Sequence, residues 1–401
     1  MSEPVAVTGV GIVSALGVGA RQFWQALAAG HSGIAPAAGL AGPDGLPTRA
    51  AAVRDFAARE FITSSHYRRM DPLSRMVVAA CRMALDDAAA GVDRDAARSG
   101  IVVGSALGNA LESAQHLDRL FLKGPAAVSP MLFPNLVLNA PASYAAMEFG
   151  FTGVNFTVAQ AEISGETAIA LGVDAICSGR ADLVLAGGGD DLAPILLRTL
   201  HRTRALAGQR GGREWASPYD AARSGLVAGA GAAMLVLEPL ARARRRGAPV
   251  YACIAGSTAW AVPAPPYGWP SRAPASLAPL AALCGAAPID LVCGGANSTT
   301  ALDACELTLF EALAAARGAT VTSLKGAIGE FGAAGALTVA AACLALREQA
   351  VPPLCALATA APTALRLAAR QAQPARLRRA LVHGLARGGA AAALLLEAAP
   401  D

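Results

Sequence analysis

Glu162 occupies a place in this chain suited to a reactive side chain. Residues 158–169, VAQAEISGETAI, read as a strand that turns sharply into a helix through small residues. Such a turn projects one side chain from a helix N-terminus into a cavity. A cysteine there would have its thiolate stabilised by the helix dipole and the free N–H groups. Here the residue is a carboxylate, which the same field stabilises but which is a much poorer acyl acceptor. The remaining candidates for chemistry are sparse. Eight cysteines occur with no Cys-x-x-Cys pair, and five histidines with no metal-site spacing. No metal and no cofactor are expected.

The elements that would hold Glu162 belong to a large α/β unit. The chain has 401 residues, 54% of them hydrophobic and only 15% charged, enough to bury a substantial core and far from a disordered composition. Aromatics at 5% leave that core to Ala, Val and Leu. A net charge of +4 does not point to nucleic acid. Two basic runs, Arg242 with Arg244 to Arg246 and Arg376 with Arg378 and Arg379, read mainly as solvated surface, and otherwise as attraction for an acidic partner. The cysteines lie in apolar surroundings and suit a reducing compartment. The start of the chain does not read as a secretion signal, and no apolar run is long enough to span a bilayer, so a cytoplasmic location is expected.

Short apolar runs bounded by glycine alternate with helical periodicity. The opening stretch 5–17 reads as a short apolar strand and a glycine turn, then a helix carrying Phe23, Trp24 and Leu27, and runs at 101–108, 181–191, 229–240, 250–257, 290–295 and 380–397 suit strands buried on both faces. Helices fall near 76–90, 304–317 and 333–347. Gly9 and Gly11 resemble half of a dinucleotide fingerprint, but the third glycine and the later acid are not convincingly placed, so dinucleotide binding is not expected. The proline-rich stretch 260–276 reads as a long surface loop between two halves of similar grammar, residues 1–250 and 251–401.

At this point a resemblance emerges from ordered motifs. These are VTGVGIVSALG (7–17), RRMDPLSR (68–75), VSPMLFPN (128–135), DLVLAGG (182–188), SPYDAARSGLVAGAGAAMLVLE (217–238), SLKGAIGEFGAAGA (323–336) and GLARGGAAAALLLE (384–397). In order and spacing they resemble the β-ketoacyl synthases of the thiolase superfamily over nearly the whole chain. The resemblance implies a thiolase-like duplicated fold of five layers, α/β/α/β/α. It also implies where that family's Cys-His-His set would lie. The cysteine position is Glu162. Anchored on Asp303 and Glu306 without a gap, the first histidine position is Gly295, and a shifted alignment offers Asn297. The second is Glu330, five residues after a retained Lys325. The family's gate becomes Leu385 to Gly389, with Arg387 near the former gate, and a family glutamate becomes Ala230.

With the nucleophile and both histidines replaced, acyl transfer is not expected of this chain by itself. The resemblance narrows to the chain-length factors, non-catalytic ketosynthase homologues that pair with an active synthase and shape its acyl tunnel. Those usually carry glutamine where this chain has Glu162. Expected partners are a catalytic ketosynthase subunit, as a heterodimer, and an acyl carrier protein bearing the growing chain. The product would be of polyketide, aryl-polyene or fatty-acid type. Met131, Leu132 and Phe133 would face the partner's tunnel. Glu162 and Glu330 are expected to share Lys325 in one ionic cluster. Besides a carrier-protein-binding or scaffold subunit with no pocket role, two other readings stand beside this one. Glu162 and Glu330 could form a general acid and base pair for hydrolysis, dehydration or cyclisation of carrier-bound acyl chains. A malonyl-carrier decarboxylase is the other, although such enzymes keep their histidines.

Overall fold

A computed structural model describes residues 4–37, 49–89, 95–209, 211–270 and 277–400. Eleven strands build the main path of one mixed sheet: β1 (Val5–Ser14), β2 (Ser99–Gly104), β3 (Asn155–Val158), β4 (Leu183–Asp190), β5 (Gly231–Pro239), β6 (Ala252–Ala261), β7 (Leu291–Cys293), β8 (Thr320–Thr322), β9 (Arg366–Leu367), β10 (Arg379–Leu385) and β11 (Ala390–Ala398). The spatial order is β3-β2-β4-β5-β1-β6-β11-β10-β7-β8-β9. Outward from β1 the pairings run antiparallel, antiparallel, parallel, parallel, and outward from β6 the same sequence recurs before β9 is added. The two runs join where Val5 to Val7 meet Ala252 to Ile254. The similar grammar of the two halves is thus a repeated strand order.

The helices that matter for the site are α1 (Pro72–Asp87), α2 (Ala110–Lys123), α3 (Ala140–Phe149), α4 (Ser164–Cys177), α5 (Leu277–Cys284), α6 (Thr300–Ala312) and α7 (Ala334–Glu348). Helix α1 packs on β1, β4 and β5, and α3 packs on α1 and β2. Helices α4 and α7 pack on each other and on strands of both runs, so they fill the middle layer. Every described side chain of α7 from Ala334 to Leu346 is buried, and the ten residues of β1 are buried too, as strands covered on both faces require. Gly9 and Gly11 serve this packing. A Cβ on either would run into the carbonyl oxygens of Ala84 and Ala80 on α1. The half fingerprint is a close helix–strand contact.

Two surface expectations change. Arg242 and Arg246 fold back onto buried Glu238, at 2.6 and 2.5 Å, and Arg246 also donates to the Ala88 carbonyl at 2.7 Å. Arg379 pairs with Glu397 and donates to the carbonyls of Cys284 and Ala287. These arginines brace the fold where solvated charge was expected, because a carboxylate or a set of carbonyls at or just past helix ends lies within reach of each. The stretch read as a loop from residue 260 begins two residues later, since β6 continues to Ala261. Residues 271–276 of that stretch lie outside the described residues.

The first-half end of the sheet differs from the rest. Strand β3 is its edge, and Phe156 on it is 41% exposed. Nearby, α2 buries no side chain at all. Phe121, Leu122, Met131 and Phe133 are 79%, 81%, 61% and 61% exposed. Such a concentration of uncovered apolar groups marks an interaction face.

Candidate functional site

The strand-to-helix turn at Glu162 forms as its sequence requires. After β3 the backbone passes through Ala161 at φ 48°, enters a 3-10 turn over Ala161–Ile163 and continues as α4. Left-handed backbone at a non-glycine residue is strained, and a short hydrogen-bonded frame holds it. The Ser164 hydroxyl accepts from the Gln160 N–H at 2.9 Å and donates to the Ala161 carbonyl at 2.8 Å. Thr167 donates to the Gln160 side chain at 2.9 Å.

From this turn the Glu162 carboxylate meets Arg387, on the turn between β10 and β11. The Arg387 backbone N–H donates to Oε2 at 3.1 Å, Nε donates to Oε1 at 2.6 Å, and Nη2 lies 2.5 Å from Oε1. The Arg387 turn reverses through Gly388 and Gly389, at φ 83° and 93°, conformations that favour glycine.

A second pair lies deeper. Lys325 opens the short helix Lys325–Ile328, and the chain turns at Gly329 to bring Glu330 back beside it. Lys325 Nζ is 2.5 Å from Glu330 Oε1, and Asn297 Nδ2 donates to Glu330 Oε2 at 2.7 Å. All three side chains are buried, and each carboxylate oxygen of Glu330 has a donor, as burial of charge demands. The expected three-member cluster therefore separates into two ion pairs. Among the described residues Lys325 serves Glu330, and Glu162 is taken by Arg387. The reason is reach. The Arg387 turn faces Glu162 with a planar fork and an N–H, whereas Lys325 spans only the bend at Gly329.

Asn297 thus faces Glu330, while Gly295 lies at the rear of the same loop. A Cβ on Gly295 would meet nothing nearer than 3.4 Å, so the backbone there leaves room for a side chain. The loop, residues 294–299 between β7 and α6, hangs on two acids of the first turns of α6. Asp303 Oδ1 accepts the N–H groups of Asn297 and Ser298, both at 3.1 Å. Glu306 accepts the N–H groups of Gly295 and Ala296 at 2.9 and 2.7 Å and the Tyr219 hydroxyl at 2.9 Å, and it contacts His383 Nδ1 at 2.6 Å. Burial pushes the Asp303 carboxyl up to about 7 and the Tyr219 phenol well above its ordinary range.

Tyr219, His383 and Glu166 were not singled out from the sequence. Strand alternation in β10 is the one signal that could have placed His383, on the face opposite Gly384. Glu166, in the first turn of α4, is buried against Gly335 and Gly384, where any Cβ would collide with its carboxyl group. Among the described residues, Oε2 of Glu166 and Nε2 of His383 have no hydrogen-bond partner. Burial raises the Glu166 carboxyl to about 7, against the opposing pull of the Lys325 charge.

Met131, Leu132 and Phe133 sit apart from both pairs, on the 3-10 segment Pro130–Leu136 of the uncovered face. Asn135 pins that segment, donating to the Arg69 carbonyl at 2.6 Å and accepting from the Tyr144 hydroxyl at 2.9 Å. The Phe133 ring lies 6.4 Å from His116.

Comparison with known proteins places this arrangement. Residues 2–243 match the Beta-ketoacyl synthase, N-terminal domain, and residues 277–358 its C-terminal domain. The chain belongs to the β-ketoacyl synthase family. The 3-oxoacyl-[acyl-carrier-protein] synthase 2 of Rhizobium meliloti is 32% identical over 369 residues, 87% of each chain. The synthase 2 of Coxiella burnetii is 32% identical over 256 residues, 63% of this chain and 62% of the relative. That match therefore spans less than two thirds of the Coxiella relative. Among solved structures, the ishigamide ketosynthase/chain length factor superposes with a TM-score of 0.91 at 26% identity, covering 100% of both chains. A β-ketoacyl synthase from Burkholderia phymatum superposes at 0.89 and 24% identity, again over 100% of both, and shows the common fold. The thiolase-like fold of this family is that of the present chain. Among the described residues, no three metal-ligating side chains converge, and no helix is long and apolar enough to cross a membrane.

Proposed function

We propose that this chain is a non-catalytic, chain-length-factor-like member of the family. It would pair with an active β-ketoacyl synthase and shape that partner's acyl tunnel, on chains carried by an acyl carrier protein. The observation that carries the reading is what stands at the three positions matched to the family's Cys-His-His set. Glu162 is tied to Arg387, Gly295 has no side chain, and Glu330 is tied to Lys325 and Asn297. Those three positions offer no thiol to accept an acyl group and no imidazole to stabilise the charge of decarboxylation. The uncovered face supports pairing. It joins an open strand edge at β3 to the exposed Met131 and Phe133, with Leu132 between them. The likeness to a ketosynthase/chain length factor points the same way.

On this reading Met131, Leu132 and Phe133 reach the partner's tunnel, Arg387 replaces the gate, and the chain divides into repeats near residue 250 and works in the cytoplasm. The acid and base alternative loses support because Glu162 and Glu330 are each engaged by a cation. The decarboxylase alternative loses support because neither histidine position holds an imidazole. Co-expression with a candidate ketosynthase, followed by co-purification and mass analysis of products, tests the proposal. The expected result is a stable 1:1 complex whose products lengthen when Phe133 is replaced by alanine. A stable homodimer that binds no ketosynthase would overturn it.

A further inference from the structure

We infer that Arg387 forms a receptor for small carboxylates, and that Glu162 fills it from within the chain. Among the described residues Arg387 supplies the donors to the Glu162 carboxylate: Nε donates to Oε1, with Nη2 also against Oε1, and the backbone N–H donates to Oε2. Guanidinium and backbone thus each take one oxygen of one planar anion, a charge-assisted clamp. The backbone of the receptor turn is held independently of its occupant. Gly388 N–H donates to the Gly268 carbonyl at 3.0 Å, Gly389 N–H to the Ala386 carbonyl at 3.0 Å, and Val262 N–H to the Gly389 carbonyl at 2.8 Å. The turn that presents Glu162 is framed separately by Gln160, Ser164 and Thr167. Removing the carboxylate therefore leaves the backbone donor and the root of the arginine side chain in position.

The receptor also opens outward. The Arg387 side chain is 34% exposed, against 9% for Glu162, and the Trp269 ring flanks the guanidinium at 6.0 Å. Solvent reaches the site from the arginine side, while the occupant comes from beneath. In the intact chain a tethered carboxylate competes at high effective concentration, so a free one is excluded. Once the tethered group is gone, the ligand that fits is a short monocarboxylate such as formate or acetate. This inference does not depend on whether the chain pairs with a synthase.

Chemical rescue tests it. Thermal midpoints of the intact chain, Glu162→Ala and Glu162→Ala/Arg387→Met are measured in sodium acetate and in sodium chloride at matched ionic strength. Glu162→Ala is expected to melt lower than the intact chain. Acetate should then recover at least half of that loss, saturably, with no acetate-specific shift in the other two proteins. An equal acetate effect on all three, or an unchanged midpoint for Glu162→Ala with no acetate response, overturns the inference. If Glu162→Ala does not fold, arginine Nε–H resonances of the intact chain serve instead. The resonance lost in Arg387→Lys should exchange slowly with water; exchange at the rate of a free guanidinium overturns it.

Discussion

The front and the back of the candidate site are built in opposite ways. At the front stand Glu162, Gly295 and Glu330, and two unrelated cations neutralise the two carboxylates. At the back, Asp303, Glu306, Tyr219 and His383 still suspend the 294–299 loop through a dense set of buried hydrogen bonds. Side chains at the front can be exchanged one at a time, provided each new charge finds a partner. The frame cannot, because removing any acceptor strands several buried donors at once.

The contrast breaks most directly at Glu306. Glu306→Ala strands two backbone N–H groups, a hydroxyl and an imidazole in the core, and should cost about 4 kcal/mol or more. A urea titration measures it, and a loss smaller than that of the front variant below would erase the distinction. At the front, Lys325→Met leaves Glu330 buried with Asn297 as its remaining donor and should cost about 3 kcal/mol. Adding Glu330→Gln should return most of that loss, a coupling that a double-mutant cycle reads directly.

The smallest effect sharpens the picture between the two regions, at Glu166. Its carboxyl sits near 7 in the folded chain against an ordinary 4.5. The folded chain therefore holds a proton that the unfolded chain sheds, and stability falls as pH rises from about 4.5 to about 7. Glu166→Gln, neutral throughout, should be more stable than the parent by about 1–3 kcal/mol at pH 8, with the gain gone by about pH 4.5. Asp303 and Asp190, raised to about 7 and about 6, tilt both proteins the same way. The difference between their denaturant midpoints across pH isolates Glu166.

Much of the fold was legible because it rests on local signals. The buried runs became β1, β4 and β5, and the turn before α4 formed where small residues follow β3. Charge partners were less legible. Lys325 and Glu330 are five residues apart, and their pairing follows from one turn. Glu162 and Arg387 are 225 residues apart, and only the three-dimensional meeting of the α4 turn with the β10–β11 turn makes them neighbours. The same holds for Arg246 against Glu238 and the Ala88 carbonyl, where a basic run suggested open surface. Glycines misled in the other direction, since Gly9 and Gly11 suggest a ligand in one dimension and turn out to admit a helix in three.

The open edge at β3, beside a helix with no buried side chain, has a consequence for supply. Unpaired strand edges and uncovered phenylalanines are what aggregation and quality-control machinery recognise. A copy whose face is left bare has a lifetime set by how soon something covers it, and mass action ties its stability to the concentration of that partner. On the proposed pairing, synthesis in excess of the covering chain would be lost and not held in reserve, so the amount of this protein in a cell would follow stoichiometry as much as its own folding.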